Sequence, residues 1–242
     1  MIKIEARGLN ERLDMLTDLE RNQIPFAMAL TLTQTAKMVE RRLVDEIRTV
    51  FDRPTRWTTN SLRVFPATKQ KLVARVWMKN EADGGGIPPT KWLTPHVYGG
   101  QREDKRSEKL LRAKGLLPSG MYIVPGRDAK LDGFGNIGRG QIQKIMSGLA
   151  AQQDSYSNST DSRRSRGNLN RFFVMRRGGQ AIGVAERTGK GKDRIKMLLA
   201  FVSRPGYRKD FDFFAIADRE AEDQLPIQFE LALARALATR RR

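Results

Sequence analysis

Residues 25–51, PFAMALTLTQTAKMVERRLVDEIRTVF, constrain the fold more than any other part of the chain, because one helical period runs through all of them. Leu32, Ala36, Val39, Leu43, Ile47 and Val50 step by three and four, which lays an apolar stripe along one face of a long amphipathic helix. Pro25 suits the first helical position, where its missing N–H costs nothing, and Pro54 with the turn formers Asp52 and Thr55 ends the run after Phe51. Arg41 with Asp45 and Arg42 with Glu46 stand four apart on the outer face, pairs worth about 0.2–0.5 kcal/mol each. Lys37, Arg41, Arg42 and Arg48 there nearly balance Glu40, Asp45 and Glu46, so this helix is expected to carry the fold rather than to read a ligand.

A stripe of that length needs a second layer to bury it. Residues 1–6 alternate as a half-buried strand does, and Asn10 can cap a short helix containing Leu13, Leu16 and Leu19. Residues 61–65 and 71–79 alternate and are expected to pair antiparallel. Asp83-Gly84-Gly85-Gly86, followed by Pro88 and Pro89, breaks regular structure. From there to about Gly140 runs an insertion with one helix expected over residues 103–114, capped by Gly115. A short strand at 121–124 and a short helix over 141–151 follow. Residues 171–176, 181–186 and 195–202 read as strands continuing the earlier sheet. A final helix is expected from about Arg219, with Leu225, Phe229, Leu233 and Leu237 and the interleaved Ile227, Leu231 and Ala234 as its apolar face, and a kink or restart at Pro226. The expected fold class is α+β, an antiparallel sheet packed against a long N-terminal helix and a C-terminal helix, with a long Gly/Pro-rich insertion. The expected division is an α+β core of residues 1–80 and 171–242, an irregular insertion over 81–152 with short helices, and a flexible, basic, Ser-rich loop over 153–170.

Charge narrows the partners. Forty-five Lys and Arg against 27 Asp and Glu give a formal net charge of +18, which favours polyanions or an acidic protein surface. Helical spacing would gather Arg102, Lys105, Arg106, Lys109 and Arg112 on one side, and Arg163, Arg164 and Arg166 lie in the loop; these eight are the candidate phosphate- or partner-contacting residues. The absence of cysteine excludes disulfides, thiolate chemistry and cysteine-ligated zinc. No run approaches the roughly 20 apolar residues that span a bilayer, so a soluble chain with no membrane partner is expected.

Catalytic chemistry finds little support. The single histidine, His96, sits between Pro95 and Val97 and is expected in a packing or turn role. Carboxylates at Glu103-Asp104, Asp210, Asp212, Asp218, Glu220, Glu222 and Asp223 have the residue type of a magnesium-dependent nuclease. Their spacing is unremarkable, and the last group is expected where a helix dipole favours acids. Gly133-Phe134-Gly135-Asn136-Ile137-Gly138 matches G-x-G-x-x-G, but no hydrophobic strand precedes it, so a tight turn is expected. Residues 183–190, GVAERTGK, resemble a P-loop only loosely, with five residues where four should separate the glycines. No catalytic residue, metal ligand or cofactor is expected, and Trp57, Trp77 and Trp92 are expected as packing anchors.

Three blocks of residues carry a resemblance. The first is an Ile-Lys-Ile strand, Gly8-Leu9-Asn10 with leucine-spaced residues, and a long helix starting near Ile24-Pro25 and ending near Arg53. The second is Leu225-Pro226 with Phe229 and a helix finishing on Arg240-Arg241-Arg242. The third is Trp92-Leu93 with Pro95, Val97, Gly99-Gly100, Arg102, Lys105-Arg106 and Glu108, then Leu131-Asp132, Gly135-Asn136 and Gly140-Gln141-Ile142. The first two resemble the minor tail protein Z and the tail-completion or neck proteins of tailed bacteriophages, and the third is similar to a block of uncharacterised phage morphogenesis proteins. The resemblance implies a non-enzymatic structural virion protein, assembled in the host cytoplasm as a homo-oligomeric ring of six or twelve subunits at the head–tail interface through which DNA passes. It implies portal, adaptor or tail-tube proteins as partners, with non-specific DNA contact, and no catalytic residues. The competing expectations are a basic nucleic-acid-binding protein acting free of the particle and, third, a magnesium-dependent nuclease.

Overall fold

The computed structural model describes residues 2–5, 18–81, 87–189, 194–203 and 206–238. The chain divides into two compact units, residues 1–100 with 208–242 and residues 101–207.

The first unit is the expected α+β core. Helix α1, Asp18–Val50, ends where the sequence places its stop, and Arg53, just before Pro54, turns the chain with φ 46°. Leu32, Ala36, Val39, Leu43 and Ile47 are all essentially inaccessible, so the stripe read from the sequence is the buried face. It packs on a three-stranded antiparallel sheet in which β3, Val73–Met78, lies between β1, Ile2–Glu5, and β2, Leu62–Phe65. Ala74 and Val76 of β3 and Leu62 of β2 enter the same core. A one-turn helix α2, Arg56–Thr59, precedes β2, and Thr55 caps it through its hydroxyl. Helix α3, Pro89–Tyr98, adds Leu93 and Val97 to the core.

Several expectations are corrected. The long helix starts at Asp18, seven residues before Pro25. Pro25 is thus the eighth helical residue, where it offers no N–H to the carbonyl one turn earlier, and the helix continues through it. Asp45 pairs with Arg48 at 2.8 Å rather than with Arg41; the Arg42–Glu46 pair forms at 3.1 Å. The expected short helix after Asn10 and the Asp83–Gly86 break lie outside the described residues, as do Lys190 and Gly191. The C-terminal helix α7, Phe213–Ala238, begins six residues early and continues through Pro226 as one element.

The contacts of α7 are the largest departure. It runs along α1, and the Thr31 hydroxyl is 3.5 Å from the Gln228 carbonyl oxygen. It buries Phe213, Ala217, Gln228, Ala232 and Ala236, with Ala232 and Ala236 against Ala27 of α1. Leu225, Ile227, Phe229, Leu231 and Leu237, expected in the core, are exposed. The alanine stripe lets two helix backbones approach closely, and the larger side chains are left on its flanks.

The second unit overturns the expected division of the chain. Strands β6 (Phe172–Arg177), β7 (Gln180–Arg187) and β8 (Ile195–Ser203) do not continue the first sheet. With β5, Met121–Pro125, they form a separate four-stranded antiparallel sheet in the order β5-β8-β7-β6. Helices α4 (Arg106–Ala113), α5 (Arg139–Gly148) and α6 (Arg166–Leu169) complete the unit. A two-stranded ribbon pairs β4, Gly100–Gln101, with β9, Gly206–Tyr207. Leu111, Ile123, Ile145, Met146, Val184, Leu199 and Phe201 make a core independent of the first. The region expected as an irregular insertion thus shares a domain with strands expected elsewhere, because antiparallel pairing of β5 with β8 supplies the apolar face it lacks alone. No helix among the described residues is long and apolar enough to cross a membrane.

Candidate functional site

The start of α4 is set by one buried carboxylate. Glu108, at the third helical position, reaches back so that its Oε2 accepts the N–H of Lys105 at 2.7 Å, which fixes the helix N-terminus there. Its Oε1 accepts the N–H of Ile123 on β5 at 2.8 Å, tying helix to sheet. Arg102 closes the pair in bidentate fashion, at 2.7 Å and 2.5 Å. Burial pushes the Glu108 carboxyl up, but the Arg102 guanidinium and the two backbone N–H groups outweigh it and hold the group below the ordinary glutamate range. Arg112 pairs with Asp104 and donates to the Met121 carbonyl at 2.9 Å. Both guanidinium groups lie over the Tyr122 ring, at 4.9 Å and 6.0 Å from its centroid.

The helix begins at Arg106 rather than near residue 103, so the five cations expected on one side of it are divided. Arg102 and Arg112 are committed to the fold, Lys105 is the N-cap, and Arg106 and Lys109 are exposed on α4. In the Ser-rich segment Arg163 and Arg164 are exposed, while Arg166 opens α6 and its Nε donates to the Asp161 carbonyl at 3.1 Å. That segment is held by the chain itself. Ser159 N–H donates to the Ser147 carbonyl at 3.0 Å, and the Asn168 amide donates to the Lys144 carbonyl at 3.1 Å and to Ser159 Oγ at 2.7 Å. Short polar side chains satisfy the backbone locally here, so the segment is anchored without an apolar core of its own.

Charge is unevenly divided. Residues 101–207 carry 22 Lys and Arg against 9 Asp and Glu, and so supply 13 of the 18 net positive charges. Within this unit the structure forms a groove of about 500 Å³. Its cations are Lys130, after β5, Lys144 on α5, Arg171, just before β6, and Lys196 on β8. Its carboxylates are already engaged. Glu186 pairs with Arg171, and Asp128 accepts the N–H of Met197 at 2.9 Å, a bond that holds its carboxyl below the usual aspartate range. Phe172 and Leu198 give the groove an apolar lining. The sequence reading missed this site because its cations come from four separated segments and share no spacing; the one usable signal was the overall charge.

His96 and the glycine motifs take structural roles. His96 stacks edge-on to Phe51, and its Nδ1 is 2.9 Å from Asp210 Oδ1. The G-x-G-x-x-G match is a tight turn in which Asp132 Oδ1 accepts the N–H groups of Phe134 and Asn136, each at 2.9 Å, with Gly135 at φ 78°. Gly183 lies in β7, where a Cβ would stand 2.3 Å from the Leu199 carbonyl oxygen; it serves close strand packing rather than a phosphate. The carboxylates of residues 218–223 lie beyond the first turn of α7, which itself holds no acid, so the helix dipole does not account for them. No group of three or more His, Cys, Asp or Glu side chains among the described residues is placed to hold a metal ion. Compared with known protein families, curated proteins and solved structures, the chain has no match.

Proposed function

We propose that this chain is a non-enzymatic structural protein of a tailed-bacteriophage virion, assembling through a second copy of itself into a ring at the head–tail interface. One observation carries the proposal. From Leu225 to Ala238 the polar residues of α7 are Gln228, Glu230 and Arg235, a composition that belongs to a buried helix, yet Ile227 and Leu231 are 51% and 62% exposed. A second copy fits as the cover because α7 carries five carboxylates against two arginines on a chain of net charge +18, so the helix is complementary to most of the surface another copy offers. Heterologous contacts of that kind form a ring when the rotation from copy to copy closes. The resemblance to tail-completion and neck proteins supports the same reading, and the basic unit supplies a surface suited to DNA or to an acidic portal or tail-tube protein.

Negative-stain electron microscopy of the purified chain tests it: rings are expected, together with labelling by specific antibody at the neck of intact particles. Dispersed single chains that bind neither portal nor tail proteins would sink it. The concentration of charge in residues 101–207 favours a second reading, a nucleic-acid-binding protein acting free of the particle. Under that reading the chain binds DNA as a monomer, with affinity falling steeply as salt rises.

A further inference from the structure

We infer that the groove bounded by Lys130, Lys144, Arg171 and Lys196 is a binding site for the sugar–phosphate backbone of nucleic acid. It lies wholly within residues 101–207 and does not depend on the virion reading. Its four cations come from the turn after β5, from α5, from the entry to β6 and from β8, and all four are exposed. Sheet pairing fixes part of the arrangement: Glu186 of β7 stands opposite Lys196 on β8 and opposite Phe172 on β6, next in sequence to Arg171. Glu186 is taken up by Arg171. Asp128 lies on the wall, where it holds the backbone of β8 through Met197. Both carboxylates thus have partners in the fold, Asp128 also pairing with Arg127 at 3.3 Å and facing Lys196, and four cations against two carboxylates leave the lining with a surplus of two positive charges.

The chemistry points to phosphodiesters. Lysine is a point charge that binds phosphate without demanding a planar partner, and the one arginine here is already paired with Glu186. Of the described lining residues that could fork onto a base edge, Arg171 is taken up by Glu186 and Gln141 stands alone, so recognition is mainly of backbone charge. Surplus charge over the rest of the unit extends the favourable potential beyond the groove for a long polyanion.

Fluorescence anisotropy of a labelled duplex oligonucleotide, titrated with the full chain at several salt concentrations, tests this. Each lost phosphate contact lowers the slope of log affinity against log salt by about 0.9, so Lys130→Gln/Lys144→Gln/Lys196→Gln is expected to reduce it by roughly 2 to 3 and to weaken binding at least tenfold at low salt. A control removing equal charge from the first unit, Lys37→Gln/Arg41→Gln/Lys71→Gln, is expected to leave the slope within about half a unit. Equal losses in both variants, or no DNA binding by the parent chain, would overturn the assignment. So would an acidic peptide of matched charge binding as tightly as DNA and losing affinity with the same three substitutions. Ring assembly is scored separately by microscopy, so the two proposals stand or fall apart.

Discussion

Glu108 joins the two halves of the second unit's local order, because the same carboxylate starts α4 and holds the N–H of β5. Its side chain is fully inaccessible and that of Arg102 is 11% exposed, so removing the guanidinium leaves a buried carboxylate unpaired. Arg102→Ala should destabilise the unit by about 3–5 kcal/mol, read by urea denaturation. The depressed carboxyl also predicts a pH dependence. A group whose folded pKa lies below its unfolded value contributes stability that is complete above the unfolded value, near 4.3 for glutamate, and is lost as pH falls through the folded one. Melting temperature should therefore drop between about pH 5 and pH 3 in the parent chain, and Glu108→Gln, less stable at neutral pH, should show a shallower drop over that window. In the first unit the Thr35 hydroxyl is buried in α1 with no hydrogen-bond partner among the described residues. Thr35→Val keeps the shape and removes an unsatisfied polar atom, so it should raise stability by about 1 kcal/mol in the same assay.

At the scale of elements, α1 and α7 contrast in how sequence pattern converts to burial. On α1 a single stripe faces a sheet, a flanking helix and α7, and every stripe residue from Leu32 to Ile47 is covered. On α7 apolar residues recur around the whole helix, and the neighbour that settles which are covered is the alanine stripe against Ala27. Ile227→Glu/Leu231→Glu changes side chains that are exposed in the single chain. Circular dichroism should be unaltered while light scattering shows a monomer where the parent associates; a parent that is itself monomeric at tens of micromolar would end the self-assembly proposal.

At the scale of the molecule, one chain carries two units with separate cores, and the charge belongs mainly to one of them. A fragment of residues 101–207 is expected to fold alone, with dispersed amide resonances and a single cooperative melt, because its sheet, three helices and buried cluster draw on no residue outside that span. A collapsed spectrum without dispersion would contradict that independence.

Residues close in sequence had already declared α1, its stop near Pro54, the β2–β3 hairpin and the α+β class, since helical and strand periods are properties of a single segment. The turn at Asp132 and the packing role of His96 were legible for the same reason. Strand partnership was not: nothing in residues 121–125 names residues 195–203 as their neighbour, and that pairing moved three strands from the expected core into the second unit. The groove, the engagement of Arg102 and Arg112 by carboxylates, and the exposed flanks of α7 are likewise products of which surfaces meet. Periodicity tells a segment which face is apolar, and the sequence by itself determined that much; only the tertiary structure decides which apolar face finds cover and which charges find a partner, because both depend on residues distant along the chain.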